Sequence, residues 1–178
     1  LPIGYWALGD KFPDTPMLPP FNKWTSVYNN TLEQIHTHFK WAQKYGLGVL
    51  LDLHGAPGSQ NGADHSGNSG NTDLYNSDIN INTTVNVLRR LTEIFKEYDN
   101  MVGIELLNEP RDHDRLQQIS GEDYRHIRQI DPSMPIYICD TVWTSNVPKW
   151  AEFINQNNWE IGFLDAHIYY AFNGGGTP

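Results

Sequence analysis

The chain has 178 residues, a formal net charge of −9 and a sequence pI near 5.1. This length can bury one sizeable core. The acidic balance, without a cluster of Lys or Arg, argues against nucleic acid or an anionic membrane surface as a partner. The one cysteine, Cys139, excludes an internal disulfide and a cysteine-based metal site. No apolar stretch approaches the roughly 20 residues that cross a bilayer, so we expect no membrane span.

Apolar periodicity divides the chain into alternating strands and helices. Strands are predicted at 1–5, 48–53, 102–107, 136–139 and 161–169. Helices are predicted at 31–45, 83–98, 122–130 and 148–154. Asn30 and Gly46 are typical start and stop residues for the first of these helices. The segment 54–81 is predicted to be a long loop rich in Gly, Asn, Ser and Asp, and such length in a compact domain indicates function.

This alternation predicts an α/β fold with a parallel sheet. A doubly wound sheet and a (β/α)₈ barrel, the TIM barrel, both fit it. No Gly-x-Gly-x-x-Gly follows a strand, which removes the usual nucleotide fingerprint. Polar residues instead follow strand after strand, and convergence of strand ends on one rim is the barrel pattern. These residues are His54, Asn108 with Glu109, Asp140, and His167 with Tyr169.

Five strands do not close an eight-stranded barrel. The chain opens inside an apolar run without Met and closes on Gly-Gly-Gly-Thr-Pro. We therefore interpret residues 1–178 as one partial catalytic barrel domain, holding about strands 2 to 6 of a longer protein. We expect this piece alone to be inactive and the full-length protein to be a monomer.

The run Gly103-Ile104-Glu105-Leu106-Leu107-Asn108-Glu109-Pro110 places one carboxyl at the end of a buried strand. Pro110 is expected to end the strand and to push Glu109 toward extended backbone. A carboxyl at the end of a strand is well placed for proton transfer. The neighbouring amide of Asn108 can form a hydrogen bond with the 2-hydroxyl of a sugar. Glycosidic hydrolysis needs a second carboxylate. Glu105 lies roughly 13 Å along the strand, too far for that role. Asp140 is geometrically possible, although a structural role is favoured.

Histidines add to this pattern. His54 ends a strand before a Gly/Pro turn and can donate a hydrogen bond to a substrate hydroxyl, while Asp52 shares its strand face. His167 and Tyr169 can tune a carboxylate. The same sequence pattern is also expected if these side chains are ordinary half-buried residues whose polar groups bond to the protein itself. His36 and His38 fall within a helix, where positions i and i+2 diverge, so we expect no metal there. Aromatic residues make up 12% of the chain and are consistent with a carbohydrate ligand.

Three segments resemble the fungal exo-β-1,3-glucanase branch of glycoside hydrolase family 5, which belongs to a cellulase-like clan of barrels. They are Pro2-Ile3-Gly4-Tyr5-Trp6, the run from Asp52 to Gly62, and the run from Gly103 to Pro110. The second of these segments is the most specific, because it ends in His-Gly-Ala-Pro-Gly-Ser-Gln-Asn-Gly. The resemblance covers essentially the whole chain.

This resemblance implies a retaining glycosidase that releases glucose from β-1,3-glucan without a cofactor or metal. Glu109 would be the acid/base, and the nucleophile, a Glu after the seventh strand, would lie outside this sequence. The residues implied to bind substrate are His54, Asp64, Asn108, His167 and Tyr169. The family implies a secreted or cell-wall enzyme, and the sequons at Asn29 and Asn82 are consistent with that.

Three alternatives remain open. The first is a non-catalytic glucan-binding relative that has lost the nucleophile. The second is a related β-glucanase or β-glucosidase with a different linkage preference, since Ala63 stands where relatives place an aromatic that clamps the acceptor sugar. The third is a metal-dependent barrel hydrolase, which the helical placement of His36 and His38 disfavours.

Overall fold

A computed structural model describes residues 1–140, 147–160 and 162–167. The strands are β1 (Pro2–Gly4), β2 (Val49–Gly55), β3 (Met101–Glu105), β4 (Ile136–Cys139) and β5 (Gly162–Asp165). The helices are α1 (Thr25–Tyr28), α2 (Thr31–Lys44), α3 (Asp78–Phe95), α4 (Asp114–Ile130) and α5 (Val147–Gln156). Within the described residues no helix is both long and apolar enough to cross a membrane.

The five strands form one parallel sheet in the order β1-β2-β3-β4-β5. A doubly wound sheet reverses its strand order at a switch point. The order here follows the chain without reversal, which excludes the doubly wound alternative and gives an arc of a (β/α) barrel. Right-handed crossovers then place the helices on one face of the arc.

The two faces of β2 differ in burial, which identifies the side that faces the helices. Val49, Leu51 and Leu53 are buried, whereas Asp52 and His54 on the opposite face are half-buried. This alternation follows from the two-residue period of a strand. The apolar face lies in the core, and the polar side chains point to the other side of the sheet.

Helices α2 and α3 share a core behind this sheet. Phe39 of α2 is fully buried and its ring stacks on that of Phe95 of α3, with centroids 4.7 Å apart. Gly46 ends α2 in a left-handed conformation, with φ of 68°, as its sequence position predicted. Asn30 precedes α2, but its side chain makes no capping hydrogen bond in the structure.

Two helices begin several residues earlier than periodicity predicted. Helix α3 begins at Asp78 rather than 83, and α4 begins at Asp114 rather than 122. The first turn of α4 has one apolar residue, Leu116, so the apolar periodicity there is weak. That turn is stabilised by His113, whose Nδ1 accepts a hydrogen bond from the Arg115 N–H over 3.1 Å. An imidazole cap lies outside the Ser/Thr/Asp/Asn pattern that marks most helix starts.

The long connection after β2 packs tightly against the segment that follows β1. It runs through residues 56–77 with two short 3₁₀ turns, Asp64–Ser66 and Asp73–Asn76. Trp6 stacks on Phe21 with ring centroids 3.9 Å apart. A Cβ at Gly67 would lie 2.6 Å from the Trp6 ring. The loop therefore approaches the indole at a distance that only glycine permits.

Candidate active site

Glu109 lies just beyond β3 and is buried, with 8% of its surface exposed. Its φ is 42°, so the expectation of extended backbone before Pro110 is wrong. A left-handed conformation is uncommon for a non-glycine residue and is concentrated at functional sites. The Glu109 N–H donates to the Cys139 Sγ over 3.2 Å, and its carbonyl accepts from Asn61 Nδ2 over 2.8 Å. These two contacts hold the strained conformation.

Gln60 braces the ends of β2 and β3. Its side chain is fully buried. Its Nε2 donates to the carbonyls of His54 and Asn108, at 2.9 and 3.0 Å. Its Oε1 accepts from the Ala56 N–H at 3.1 Å. One amide therefore fixes the backbone beside two of the predicted site residues.

His167 contacts the Glu109 carboxylate directly. The distance from His167 Nδ1 to Glu109 Oε1 is 2.8 Å, and His167 Nε2 lies 3.2 Å from Asp165 Oδ2. Burial lowers the pKa of His167, but the hydrogen bonds to the two carboxylates outweigh it, and the net pKa lies above the usual value. An imidazolium that donates from both nitrogens satisfies this geometry. Strand β5 ends at Asp165, so His167 follows the strand rather than lying within it.

His54 occupies the other side of the site. Its Nδ1 lies 2.6 Å from Asp52 Oδ2, on the strand face that parity predicted the two residues to share. Burial raises the pKa of Asp52, although the hydrogen bond to His54 opposes this. The His54 ring packs edge-on against His65, with centroids 5.2 Å apart, and His65 Nε2 lies 3.7 Å from Glu109 Oε2. His65 thus lies between His54 and the carboxyl.

The remaining predicted residues have different placements. Asn108 is buried beside Glu109, and its N–H donates to the Leu53 carbonyl over 3.0 Å. Asp64 lies on the same 3₁₀ turn as His65 and is exposed. Tyr169 lies outside the described residues. The roles assigned to these residues from the resemblance stay predictions.

Asp140, the other candidate carboxylate, is 1% exposed at the end of β4. Its N–H donates to the Asp165 carbonyl over 2.9 Å. His36 contacts the Tyr98 hydroxyl, and His38 contacts the Gln34 carbonyl. The two helical histidines therefore have separate partners, as their spacing predicted.

Glu105 forms a buried cluster beneath the site. Ligand-type atoms of Glu105, Cys139 and His167 lie within 4.8 Å of one another. Both His167 nitrogens contact carboxylates outside this cluster, those of Glu109 and Asp165, whereas Glu105 Oε1 is buried without a hydrogen-bond partner among the described residues. Burial, with the nearby charges of Asp52 and Asp165, raises the pKa of Glu105 to about 7. The structural role assigned to Glu105 from its distance along the strand stays a prediction.

Replacing Glu105 by Gln is expected to reduce the pH dependence of stability. A carboxyl with a pKa near 7 in the folded state and near 4.5 unfolded destabilises the fold progressively as pH rises from about 4.5 through 7. The full effect is about 3 kcal/mol above pH 7. Gln carries no such charge, so the variant is expected to lose less stability over this range. Urea unfolding of the full-length protein at pH 4.5 and pH 8 measures it, and equal losses in both proteins would contradict the assignment.

Sequence reasoning missed three residues of the site, namely Gln60, Asn61 and His65. They lie in the loop already singled out for its length and its Gly/Asn composition. Gly58 and Gly62, both with positive φ, flank the two amides. Amides between glycines, in a loop that follows a strand end, are a signal for side chains that bind neighbouring backbone.

The fold and these contacts define a class: a (β/α) barrel protein with a candidate acid–base site at the carboxyl ends of its strands. The family model of the cellulases, described as glycosyl hydrolase family 5, matches residues 9–176. The chain belongs to this cellulase family.

Proteins that are similar to this chain in sequence are named glucan 1,3-beta-glucosidases. Glucan 1,3-beta-glucosidase 3 of Schizosaccharomyces pombe is 32% identical over 98% of this chain and 37% of its own length. Probable glucan 1,3-beta-glucosidase A of Aspergillus fumigatus is 33% identical over 97% of the chain and 39% of its own length. The chain thus spans under two fifths of these relatives.

Solved structures agree on the fold. The crystal structure of AoRut matches 97% of this chain and 50% of its own, with a TM-score of 0.73 and 19% identity. An endoglucanase matches 97% of this chain and 48% of its own, with a TM-score of 0.67 and 20% identity. With the family match, these confirm the prediction of an α/β barrel fold, present in part, and the resemblance to glycoside hydrolase family 5.

Proposed function

We propose that the full-length protein is a retaining glycoside hydrolase that releases glucose from β-1,3-glucan. The observation that carries this is the Glu109–His167 contact of 2.8 Å, at a nine-tenths buried carboxyl beyond a barrel strand. Membership of the cellulase family supports glycosidic hydrolysis. The names of the relatives support the β-1,3 linkage.

In this proposal Glu109 protonates the glycosidic oxygen as the bond breaks, and then removes a proton from the attacking water. A second carboxylate, about 5–5.5 Å from the carboxyl of Glu109, attacks the anomeric carbon. That nucleophile is a Glu supplied from outside residues 1–178, which form one part of the catalytic barrel domain. No metal or cofactor takes part.

The substrate is held by groups around Glu109. The Asn108 amide binds the 2-hydroxyl of the sugar that is cleaved, an interaction that strengthens in the oxocarbenium-like transition state. His54, Asp64 and Tyr169 bind other hydroxyls of the same glucose, and His167, whose two nitrogens contact Glu109 and Asp165, lines the same site. The buried contacts of Gln60 and Asn61 fix the backbone that carries Asn108 and Glu109.

The proposed location is the extracellular space or the cell wall, with the protein as a monomer. Both sequon asparagines, Asn29 and Asn82, are exposed and leave room for a glycan. An enzyme in either place would be in contact with cell-wall polysaccharides, the class to which the proposed β-1,3-glucan substrate belongs.

Hydrolysis of a soluble β-1,3-glucan by the full-length protein tests the proposal. Proton NMR of the earliest product is expected to show β-glucose before mutarotation, because double displacement retains the configuration. Glucose is expected as the single early product, and a β-1,4-glucan of equal length serves as the control substrate. Oligosaccharides of mixed length, early α-glucose or faster cleavage of the β-1,4 chain would contradict it. Binding of the glucan without hydrolysis would favour the non-catalytic alternative.

A further inference from the structure

A cavity of about 350 Å³ lies between the segment that follows β1 and the loop that follows β2. Leu18, Pro19 and Pro20 contribute to it from the first segment, and residues between Gly58 and Asn80 contribute from the second. Its volume falls within the range of about 300–1,000 Å³ that is typical of small-molecule sites. The acid–base chemistry proposed above leaves this cavity unused.

Hydrogen bonds fix both sides of the cavity. The Leu18 carbonyl accepts from the Tyr5 hydroxyl over 2.7 Å, and the Asp73 N–H donates to the Gly58 carbonyl over 2.8 Å. Asn80 Nδ2 donates to the Asp73 carbonyl over 3.2 Å. A Cβ at Gly58, whose φ is 73°, would lie 2.4 Å from Asn80 Nδ2, so this close approach requires glycine. The cavity is therefore preformed, and a ligand would bind without first ordering the loop.

The polar lining consists mainly of neutral amides. Asn68 and Asn71 are half-buried, and within the described residues their side-chain amides make no hydrogen bond. Asn80 uses its Nδ2 within the protein, whereas its Oδ1 accepts no hydrogen bond from the described part of the chain. An amide offers both donors and an acceptor, and a hydroxyl can pair with either. These three side chains therefore match a ligand that carries several hydroxyls.

The rest of the lining indicates that this ligand is uncharged. Pro19, Pro20 and Ile79 supply apolar surface, and Ile79 is 55% exposed. Among the described residues that line the cavity, Asp73 is the one with a charge, and none is Lys, Arg or His. The lack of a cation there argues against a phosphate, and one carboxylate is too few for a divalent cation. A saccharide, with hydroxyls at its edge and C–H groups on its faces, fits both parts of the lining.

We propose that this cavity is a second saccharide-binding site, which holds a segment of the β-glucan chain apart from the glucose bound at Glu109. This inference rests on the proposed function, because the ligand is a further part of the proposed substrate. The loop that forms the cavity also carries Asn61, which contacts the Glu109 carbonyl. The cavity thus adds affinity for a chain of sugars but not for a single glucosyl unit.

The test removes the two free amides in the full-length protein. Asn68→Ala combined with Asn71→Ala is expected to raise KM for soluble β-1,3-glucan by about tenfold, because about two hydrogen bonds to the chain are lost. Its kcat is expected to stay unchanged, since these contacts are the same in the ground state and the transition state. KM for an aryl β-glucoside, which has one glucosyl unit, is expected to stay at the wild-type value. Asn76→Ala, at an exposed position of the same loop outside the cavity, is the matched control.

Binding without turnover gives a second readout. The wild-type protein, with its catalytic site saturated by an iminosugar, is expected to remain bound to insoluble β-1,3-glucan, and the double variant is expected to be released. Asn71→Ala alone, with an expected rise in KM of about threefold, replaces the double variant if that protein does not fold.

Three results would overturn the inference. They are release of the saturated wild-type protein from the glucan, an unchanged KM for the glucan in the variants, and an equal rise of KM for the glucan and the aryl glucoside, which would indicate a distorted catalytic site. Failure of the proposed function has a different signature, because the wild-type protein would then not hydrolyse β-1,3-glucan at all.

Discussion

Replacing Glu109 by Gln in the full-length protein is expected to lower kcat/KM for unactivated β-1,3-glucan by about 10²–10⁴-fold, the contribution typical of general acid–base catalysis. Gln keeps the size of the side chain and a carbonyl oxygen for His167, 2.8 Å away, but has no proton to give. The fold is therefore preserved while the acid is removed.

Two further readouts separate this chemical loss from a loss of structure. An aryl β-glucoside with a good leaving group is expected to form the glycosyl-enzyme at a nearly unchanged rate and then to accumulate it, because the general base for water is also missing. Azide, which needs no general base, is expected to restore turnover and to yield a β-glycosyl azide. Glu97→Gln, at an exposed position beyond α3, is the matched control and is expected to have wild-type activity. Unchanged hydrolysis of the glucan by the Glu109 variant would remove the assignment.

Local sequence was enough to predict the rim of the site. Two of the polar strand-end residues, His54 and Glu109, follow short apolar runs and are followed directly by a Gly or Pro breaker, Gly55 and Pro110. These signals require only a few neighbouring residues. His54 and Glu109 were therefore recognised. The sequential order of the parallel strands places their carboxyl ends, and so these two residues, on one edge of the sheet.

The contacts that shape the site are non-local, which is why sequence did not predict them. Gln60 contacts a carbonyl 48 residues away, and His167 contacts a carboxylate 58 residues away. The left-handed φ of Glu109 contradicts the local preference before proline, because Cys139 and Asn61 stabilise it from other segments. Tertiary contacts outweigh local preference here, as is typical of functional sites.

Gln60 combines these two features, since it belongs to a recognised loop but acts on distant backbone. The backbone groups that it contacts lie at the ends of β2 and β3, where the candidate site is built. Its amide is the one described group that bonds to the carbonyls of both His54 and Asn108. Geometry at Glu109 thus depends on a residue that does not contact its carboxyl.

Replacing Gln60 by Ala is expected to lower the free energy of unfolding by about 3 kcal/mol or more, because two carbonyls and one N–H lose its hydrogen bonds, at about 1–3 kcal/mol each. It is also expected to lower kcat/KM by about 10²-fold, since a small misplacement of a catalytic group has that effect. Denaturant unfolding and glucan hydrolysis by the full-length protein measure the two losses. Gln118→Ala, at an exposed position of α4, is expected to change stability by less than about 0.5 kcal/mol. If the Gln60 and Gln118 variants behave alike, the brace between the two strand ends does not position the acid/base; if Gln60→Ala loses stability but keeps its activity, the brace is structural alone.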